Sequence, residues 1–371
     1  MTPSSEAKEV LKLLKRSNNV LVQGAPGTGK THLAAQVCSA FRSQVALPYN
    51  ATGSVPFPHT GSDLEDIAEW LPSPERANRR VFSTVFHQGT KLRDFVSGIV
   101  PVADGGTLRF RVQRGVLLEA IEHSLQPDST ALVLIEEINR GPAVSIFGGS
   151  IVAIESDKRL GINGEPLTTT ASFESLGPDG HQVVVRIPKH LYLLATMNQA
   201  DTSVEPLDIA FLRRWEHFRL EPSSDLLYSF FGLEPGSPVT DAPATAKDLF
   251  HVAILAWNAV NERISVGRGP EFQIGHGVLM QPEFVGKGGP LEAASILVSF
   301  WERMRAHVEE IFFGDVGAVA DVLNMRSNHA GHPYKLLEKD FAGGSRLQIV
   351  TQPTTRENVI QILRSVAGYA N

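Results

Sequence analysis

Along residues 1–220, short continuous apolar runs alternate with longer runs in which apolar residues recur every three or four positions. The short runs are rich in leucine and β-branched residues and predict buried strands, whereas the longer runs predict amphipathic helices. The predicted strands span residues 20–23, 80–86, 132–135 and 191–196. This alternation is typical of a mostly parallel sheet flanked by helices, so we expect an α/β core.

After about residue 220 the pattern becomes helical. In the segment ILVSFWERMRAHVEEI, apolar residues recur three or four positions apart, as on one face of a helix. We therefore predict two domains, an α/β core over residues 1–220 and an α-helical domain over residues 221–371. Inside the core, the stretch LPYNATGSVPFPHTGSD predicts an exposed loop. A polar insertion at residues 155–188 ends in the alternating run QVVVRIP, which predicts a β-hairpin.

Composition narrows the classes of function. The 371 residues are 42% hydrophobic, enough for two cores, and their formal net charge is -6. Because the chain has no basic run, we expect any contact with nucleic acid to be made by a local surface, by an assembly or by a partner protein. The single cysteine, Cys38, excludes an internal disulfide and a zinc–cysteine cluster. No apolar run approaches the roughly 18 residues of a membrane span, so we expect a cytoplasmic protein.

The strongest motif is GAPGTGKTH, which lies between the strand-like run NVLVQ and the helix-like run LAAQVCSAF. It fits G-x-x-x-x-G-K-[ST], the pattern of loops whose backbone N–H groups bind the phosphates of a nucleoside triphosphate at the start of a helix. Lys30 is expected to reach the β and γ phosphates, and the Thr31 hydroxyl to coordinate Mg²⁺. The predicted nucleotide-binding residues of this loop are Gly24, Ala25, Pro26, Gly27, Thr28, Gly29, Lys30, Thr31 and His32.

An acidic pair follows the third predicted strand. The run ALVLIEEINRG carries apolar residues through the sheet and then delivers Glu136 and Glu137 at the carboxyl end of the strand, where ligands of open α/β sheets bind. We expect Glu136 to hold the Mg²⁺ shell through water, and Glu137 to polarise the attacking water. The first acid of such pairs is most often Asp. Because Glu136 is one methylene longer, the sequence supports nucleotide binding better than hydrolysis.

The last predicted strand lies in LYLLATMNQAD and ends at Asn198, whose amide is expected to contact the γ phosphate and the attacking water. The next run, EPLDIAFLRRWEHF, predicts a helix with Arg213 and Arg214 at its end. Adjacent arginines on a helix are usually surface charges. In this order of motifs, one of the two is expected to reach the nucleotide of a neighbouring subunit and to neutralise charge in the transition state.

The order of GAPGTGKT, LVLIEEINRG, LLATMNQAD and LDIAFLRRW resembles that of the AAA+ ATPases. Further segments are similar to the McrB-type group, the motor subunits of modification-dependent restriction systems. These segments are VFHQGTKLRDFVSGIVP, EEINRGPAVSIFGG, IESDKR, IPKHLYLLATMNQAD and FQIGHGVLMQPE. Together the motifs extend from about residue 20 to about residue 310 of the chain.

The resemblance implies an AAA+ P-loop NTPase core with an α-helical lid, and a hexameric ring in which neighbouring subunits share each nucleotide site. It implies that Asn139 and Arg140 lie beside the site, and that Gly275 and His276 of the lid lie near the nucleotide. The hairpin predicted at residues 155–188 would be the pre-sensor hairpin of this family. It is either a pore-lining element or an exposed variable loop.

Two differences limit what the resemblance implies. McrB has a DNA-reading domain before its motor, whereas about 20 residues precede the first predicted strand here. We therefore expect no N-terminal DNA-binding domain and assign no recognition of modified bases to this sequence. McrB prefers GTP, whereas many AAA+ proteins use ATP, so both nucleotides remain candidate substrates.

Three functions fit these motifs. The first is a ring-forming NTPase that hydrolyses ATP or GTP with Mg²⁺ to drive or switch a partner effector, such as a nuclease, in a bacterial restriction or antiphage defence system. The second is a MoxR-like remodelling ATPase, which the segments FHQG and IGH disfavour. The third is a scaffold that assembles when nucleotide binds and hydrolyses little, an interpretation that Glu136 in place of Asp keeps open.

Overall fold

The computed structural model describes residues 3–43, 61–104, 107–200, 207–240, 243–280, 289–326 and 334–369. The predicted loop LPYNATGSVPFPHTGSD lies almost entirely outside these ranges. The chain divides into two compact units, Met1–Gln23 with Lys30–Arg219, and Gly24–Gly29 with Leu220–Asn371, called unit 1 and unit 2 below. Within the described ranges, none of the helices combines the length and the apolar character that a membrane crossing requires.

Unit 1 contains the strands of the predicted α/β core. Its strands are β1 (Asn19–Gly24), β2 (Asn78–Val85), β3 (Ser97–Asp104), β4 (Thr107–Arg114), β5 (Ser129–Glu136), β6 (Phe173–Leu176), β7 (Gln182–Val185), β8 (Leu191–Asn198) and β9 (Glu216–Leu220). Its helices are α1 (Ser5–Ser17), α2 (Lys30–Ser43), α3 (Gly61–Trp70), α4 (Leu92–Phe95), α5 (Val116–Leu125), α6 (Ala143–Phe147), α7 (Ser150–Ala153) and α8 (Ile209–Leu212).

Among the described residues, a five-stranded sheet has the order β2-β5-β8-β1-β9. The pairs β2–β5 and β5–β8 are parallel. Every residue of β5 and of β8 is buried except the last one, which explains their nearly continuous apolar sequences, because a central parallel strand is covered by helices on both faces. The predicted parallel α/β core is therefore confirmed. The register pairs Val85 with Glu136 and Ile135 with Ala195, so the acidic pair and Asn198 lie at the same edge.

The sequence interpretation was incomplete after β8. The run EPLDIAFLRRWEHF was predicted as one helix, but α8 ends at Leu212 and β9 begins four residues later. Burial alternates along β9, as expected for a strand with one covered face. Two antiparallel hairpins also accompany the sheet in unit 1. β3 pairs with β4, and β6 pairs with β7 inside the insertion at residues 155–188.

A fully buried arginine connects this insertion to the sheet. Arg159 Nε donates to the Ile154 carbonyl oxygen at 3.0 Å, and its Nη2 donates to Asn19 Oδ1 at 2.6 Å. The guanidinium also donates to the carbonyl oxygen of Leu191 at the start of β8. All of these acceptors are neutral, and burial lowers the pKa of Arg159 to about 9. The hydrogen bonds thus compensate for desolvation of the cation and fix the beginnings of two strands.

Unit 2 is mainly helical, as predicted. Its elements are α9 (Ser224–Phe231), α10 (Ala246–Gly267), α11 (Pro290–Ile311), α12 (Val316–Val322), β10 (Lys335–Phe341), β11 (Gly344–Val350) and α13 (Val359–Ala367). The long helices α10 and α11 bury Trp257 and Trp301 in its core, and Trp301 Nε1 donates to the Tyr334 hydroxyl at 2.6 Å. The hairpin β10–β11 was not predicted, because its sequence has no continuous apolar run.

Candidate nucleotide site

The glycine loop has the backbone geometry that its sequence requires. Gly27 and Gly29 have φ angles of +78° and +87°, in the left-handed region that glycine adopts without strain. Between them, the Thr28 hydroxyl donates to the Ala25 carbonyl oxygen at 2.9 Å and closes the turn. Helix α2 begins at Lys30, directly after the loop. The order of strand, glycine loop and helix therefore matches the pattern of phosphate-binding loops.

Two backbone N–H groups of unit 2 fix the conformation of this loop. The N–H of Gly275 donates to the Pro26 carbonyl oxygen at 3.0 Å, and the N–H of Gly277 donates to the Gly27 carbonyl oxygen at 2.9 Å. A Cβ atom on Gly275 would overlap the backbone of Gly27 and Thr28. Residue 275 must therefore be glycine for this contact to form.

His276 lies between these two glycines and next to the loop. Its Nδ1 accepts a hydrogen bond from the N–H of Ser223 at 3.2 Å, so the neutral ring carries its proton on Nε2. Nε2 would be 3.9 Å from a Cβ atom built on Gly29. Burial lowers the pKa of His276, which keeps the ring neutral at physiological pH. The site thus has an N–H donor beside the loop, suited to a phosphate oxygen.

The two residues after Lys30 differ from it in exposure. Lys30 is 8% exposed, and its burial lowers its pKa to about 8, although the negative charge of Glu137 opposes this shift. Thr31 and His32 are exposed. His32 Nε2 lies 2.8 Å from Gln36 Nε2 on the next turn of α2. Lys30 is therefore buried, whereas Thr31 is exposed.

The acidic pair lies where β5 ends. Glu136 is the last residue of the strand and is half-buried. Glu137 has a φ angle of +53°, a left-handed conformation that is uncommon for residues other than glycine. Its N–H donates to the Thr196 hydroxyl on β8 at 3.3 Å. Such strained backbone often occurs at functional sites, where the surrounding structure stabilises it.

The Glu137 carboxylate is held by two neighbours. Asn198 Nδ2 lies 2.9 Å from Glu137 Oε1 and 3.1 Å from Oε2, and Arg140 Nε lies 3.2 Å from Oε2. Asn139 supports this arrangement, since its Nδ2 donates to the Asn198 carbonyl oxygen at 2.9 Å. Asn139 Oδ1 is buried and has no hydrogen-bond partner among the described residues. The structure thus brings together the predicted acid, the predicted sensor and both neighbouring residues.

The oxygen donors at this edge fit Mg²⁺. Thr31 offers a hydroxyl and Glu136 a carboxylate, the hard ligands that Mg²⁺ prefers. Among the residues that the structure describes, no three His, Cys, Asp or Glu side chains form a metal-binding group. Mg²⁺ commonly keeps several waters and binds with the phosphates of a nucleotide through one or two protein ligands. The residues present therefore fit a nucleotide-associated Mg²⁺ rather than a site formed by protein ligands alone.

The two predicted arginines lie elsewhere in unit 1 and differ from each other. Arg214 Nε lies 2.8 Å from Glu155 Oε1, its guanidinium also donates to the Ala210 carbonyl oxygen, and its side chain is 9% exposed. Arg213 is exposed, and its side chain has no polar contact within the described ranges. Both line a cavity of about 380 Å³ together with Glu155 and Asp157. The structure therefore does not bring either arginine to the acidic pair of the same chain.

Most of unit 1 resembles a known protein family. Residues 65–215 match the AAA domain of the dynein-related subfamily. The chain contains an AAA domain. The matched residues include the acidic pair, Asn198 and both arginines, and they begin after the glycine loop. The predicted AAA fold, a parallel sheet flanked by helices with a helical C-terminal region, is confirmed.

Two proteins that are similar in sequence to this chain belong to restriction systems. The chain is 28% identical over 224 residues to the type IV methyl-directed restriction enzyme EcoKMcrB subunit of Escherichia coli K12, covering 60% of this chain and 39% of that one. It is 30% identical over 213 residues to the type II restriction enzyme BsuMI component YdiS of Bacillus subtilis 168, covering 55% and 57%. The predicted resemblance to McrB-type proteins is thereby confirmed. The chain spans less than two thirds of the length of either relative.

Solved structures with detectable similarity are more distant. A putative ATPase from Cytophaga hutchinsonii is 12% identical, with 80% of this chain and 74% of that chain covered and a TM-score of 0.31. PCH-2 of C. elegans is 13% identical, with 82% and 68% covered and a TM-score of 0.32.

Sequence reasoning missed two residues of the candidate site. Gly277 contacts the loop through its N–H group, and its signal was the second glycine of the GHG sequence. Glu155 holds Arg214, but no local pattern indicates an ion pair between residues so far apart in the chain.

Proposed function

We propose that this chain is a nucleoside triphosphatase that hydrolyses ATP or GTP and thereby drives or switches a partner effector of a bacterial restriction or antiphage defence system. The observation that carries this proposal is the Glu137 carboxylate, which Asn198 of the neighbouring strand holds at 2.9 and 3.1 Å. An oriented carboxylate at this edge is what the activation of water for phosphoryl transfer requires. The relationship to McrB supports the role in restriction.

Each residue has a defined part in the proposed reaction. The N–H groups of the glycine loop and the ammonium of Lys30 bind the phosphates, and the His276 Nε2–H adds a further donor. Water attacks the γ phosphorus, the bond from that phosphorus to the β–γ bridging oxygen breaks, and Glu137 accepts the proton of the water. Thr31 and Glu136 would hold Mg²⁺, which would supply positive charge beside the phosphate oxygens.

Asn198 would sense the state of the nucleotide by exchanging partners. Its amide nitrogen has two protons and already lies against both oxygens of Glu137. Contact with a γ phosphate would therefore weaken its hold on the carboxylate and free Glu137 to bind water. In this proposal, the hydrogen bond from Asn139 to the Asn198 carbonyl oxygen keeps the backbone in place during the exchange.

Arg213 is the candidate for the arginine that acts on a neighbouring subunit. Arg214 is buried against Glu155, whereas Arg213 is exposed at the end of α8. An arginine that reaches another subunit must be free of strong contacts in its own chain. We therefore propose a homo-oligomeric ring, hexameric as in the proteins this chain resembles, in which Arg213 completes the site of the next subunit.

Turnover of ATP and of GTP by the purified protein tests the proposal. The assay is run with Mg²⁺, with the protein alone and with any partner that co-purifies from its native host. Lys30→Ala provides the matched control, because it removes a phosphate ligand of this protein. Any turnover that remains in a preparation of this variant comes from a contaminating enzyme. Hydrolysis that disappears in this variant supports the proposal. No hydrolysis of either nucleotide in both mixtures refutes it.

A further inference from the structure

The hairpin β10–β11 of unit 2 separates its charges by face. Its two strands are antiparallel, and along each strand successive side chains point to opposite sides. Leu336 and Ile349 point inward and pack against the core of unit 2. Glu338 and Asp340, the two acids of the hairpin, alternate onto this same inner face. The outer face of the hairpin therefore contains no acidic residue.

The outer face carries cations and apolar side chains. The cations are Lys335, Lys339 and Arg346, and all of them are exposed. None forms an ion pair within the described ranges. Phe341, near the turn of the hairpin, is 71% exposed, and Leu337 is 39% exposed. A basic face that includes an exposed aromatic ring is thus presented to solvent.

Two of these cations face each other across the hairpin. Lys339 and Arg346 are paired directly in the register, and like charges in this position destabilise a strand pair. The stability of the hairpin therefore does not explain why both Lys339 and Arg346 are present. The chain as a whole has a net charge of -6, so this local basic face opposes the general balance of the protein. Both observations indicate a surface selected for an anionic ligand.

The arrangement of the cations indicates the shape of that ligand. Lys335 and Lys339 are four residues apart on one strand, which corresponds to about 13 Å. A single small anion cannot contact both, whereas an extended polyanion can. The exposed ring of Phe341 adds a surface on which a base can stack, a combination typical of proteins that bind nucleic acid strands.

We propose that the outer face of β10–β11 binds the phosphodiester backbone of nucleic acid. Lys335, Lys339 and Arg346 contact successive phosphates, and Phe341 contacts a base. This proposal does not depend on the hydrolysis proposed above. It assigns direct contact with nucleic acid to a surface of this chain itself.

Fluorescence anisotropy with labelled oligonucleotides tests the proposal in the absence of nucleotide. The probes are a 30-nucleotide single-stranded DNA, its duplex and the single-stranded RNA of the same sequence, which distinguish the form of nucleic acid. If three phosphates are neutralised on a duplex, raising the salt from 50 to 200 mM weakens binding by roughly 40-fold. Absence of binding to all three probes at 50 mM salt overturns the proposal.

A matched pair of variants localises the binding. Lys339→Glu/Arg346→Glu reverses the charge of the outer face, and Arg303→Glu/Arg356→Glu makes the same change in net charge at two exposed arginines of unit 2 that lie outside the hairpin. We expect the first to weaken binding at least about tenfold and the second less than about threefold, since phosphate contacts dominate affinity. Equal losses in the two variants overturn the proposal. Basal NTP turnover should be the same in both.

A single variant separates loss of binding from loss of folding. Lys339→Glu places opposite charges across the strand pair, so the melting temperature should rise while binding weakens. A lower melting temperature with weaker binding would assign the effect to folding and contradict the proposal. Polyglutamate and anionic lipid vesicles serve as competitors. If either displaces the oligonucleotide at an equal concentration of negative charge, the face does not recognise a nucleic acid backbone and the proposal fails.

Discussion

The acidic edge of the sheet and the segment after α8 both carry charged groups, but their surroundings differ. At the acidic edge, Glu137 is fixed by a strained backbone and by contacts with Asn198 and Arg140. After α8, Arg214 is fixed by Glu155, while its neighbour Arg213 is exposed. The Glu137 carboxylate is oriented by contacts within the chain, whereas the Arg213 side chain has no polar contact in the part of the chain that the structure describes.

In the oligomer proposed above, this difference would correspond to a division of labour between subunits. A general base must be positioned before the substrate arrives, so the fold holds it with hydrogen bonds from its own chain. An arginine side chain that acts on another subunit cannot be paired in this way, because it must extend out of its own chain to contact the nucleotide. The cis contacts of Arg214 would then position α8 and β9, from which Arg213 projects.

Among the residues of these two regions, Arg213 should have the largest effect on turnover when it is replaced. In Arg213→Ala, NTP turnover is expected to fall about a thousandfold or more, the range observed for arginines that act in trans. The melting temperature should not change, because the Arg213 side chain has no polar contact within the described ranges. Arg219→Ala, which removes an exposed arginine of β9, is the matched control and should leave turnover unchanged. Equal losses in the two variants would contradict a specific role for Arg213.

Mixing two inactive variants tests whether Arg213 acts in trans. Arg213→Ala retains Glu137, and Glu137→Gln retains Arg213. In a mixed assembly, some interfaces combine an intact Glu137 from one subunit with an intact Arg213 from the next, so turnover should return. If the mixture stays as inactive as its components, Arg213 acts within its own chain or not at all.

Glu137→Gln should have the next largest effect. The amide cannot accept the proton of the attacking water, so turnover is expected to fall about a hundredfold or more. Nucleotide binding, measured by fluorescence titration, should persist, because the loop and Lys30 are unchanged. Glu136→Gln is the informative partner, since it should instead raise the Mg²⁺ concentration required for half-maximal turnover. A Glu137→Gln protein with normal turnover would indicate that a different group activates the water.

Arg214→Ala should act on stability rather than on chemistry. The buried side chain pairs with Glu155, and removing one member leaves the other without its partner, at about 2 kcal/mol. Denaturant unfolding measures this loss. Glu155→Ala should cost a similar amount, and the double variant should cost little more than either single variant, because both disrupt the same contact. A large loss of turnover at unchanged stability would reverse the roles of the two arginines.

The sequence predicted the sheet and its acidic edge because both depend on local patterns. β5 and β8 are continuous apolar runs followed by polar residues, so their ends and the positions of Glu136, Glu137 and Asn198 follow from the chain itself. The hairpin β10–β11 escaped prediction because both of its faces contain polar residues. Short exposed strands lack the apolar periodicity on which such predictions depend.

Contacts between distant segments could not be predicted in the same way. The choice between Arg213 and Arg214 depends on Glu155, which no pattern connects to either of them. The N–H groups of Gly275 and Gly277 that hold the glycine loop likewise belong to a segment far along the chain. Sequence identified the residue types at the site, whereas the three-dimensional fold determined which of them are held and which are free.

Arg140→Ala should have the smallest effect and sharpens the description of the acidic edge. Arg140 Nε lies 3.2 Å from Glu137 Oε2, but the arginine side chain is 51% exposed, and exposed ion pairs contribute less than about 1 kcal/mol. Turnover should therefore change by no more than about fivefold. Asn198→Ala, which removes the amide that contacts both oxygens, should reduce turnover more than Arg140→Ala does. Were Arg140→Ala as damaging as Glu137→Gln, an exposed cation would be holding the acid in place, and the contrast between a fixed edge and a free arginine would no longer stand.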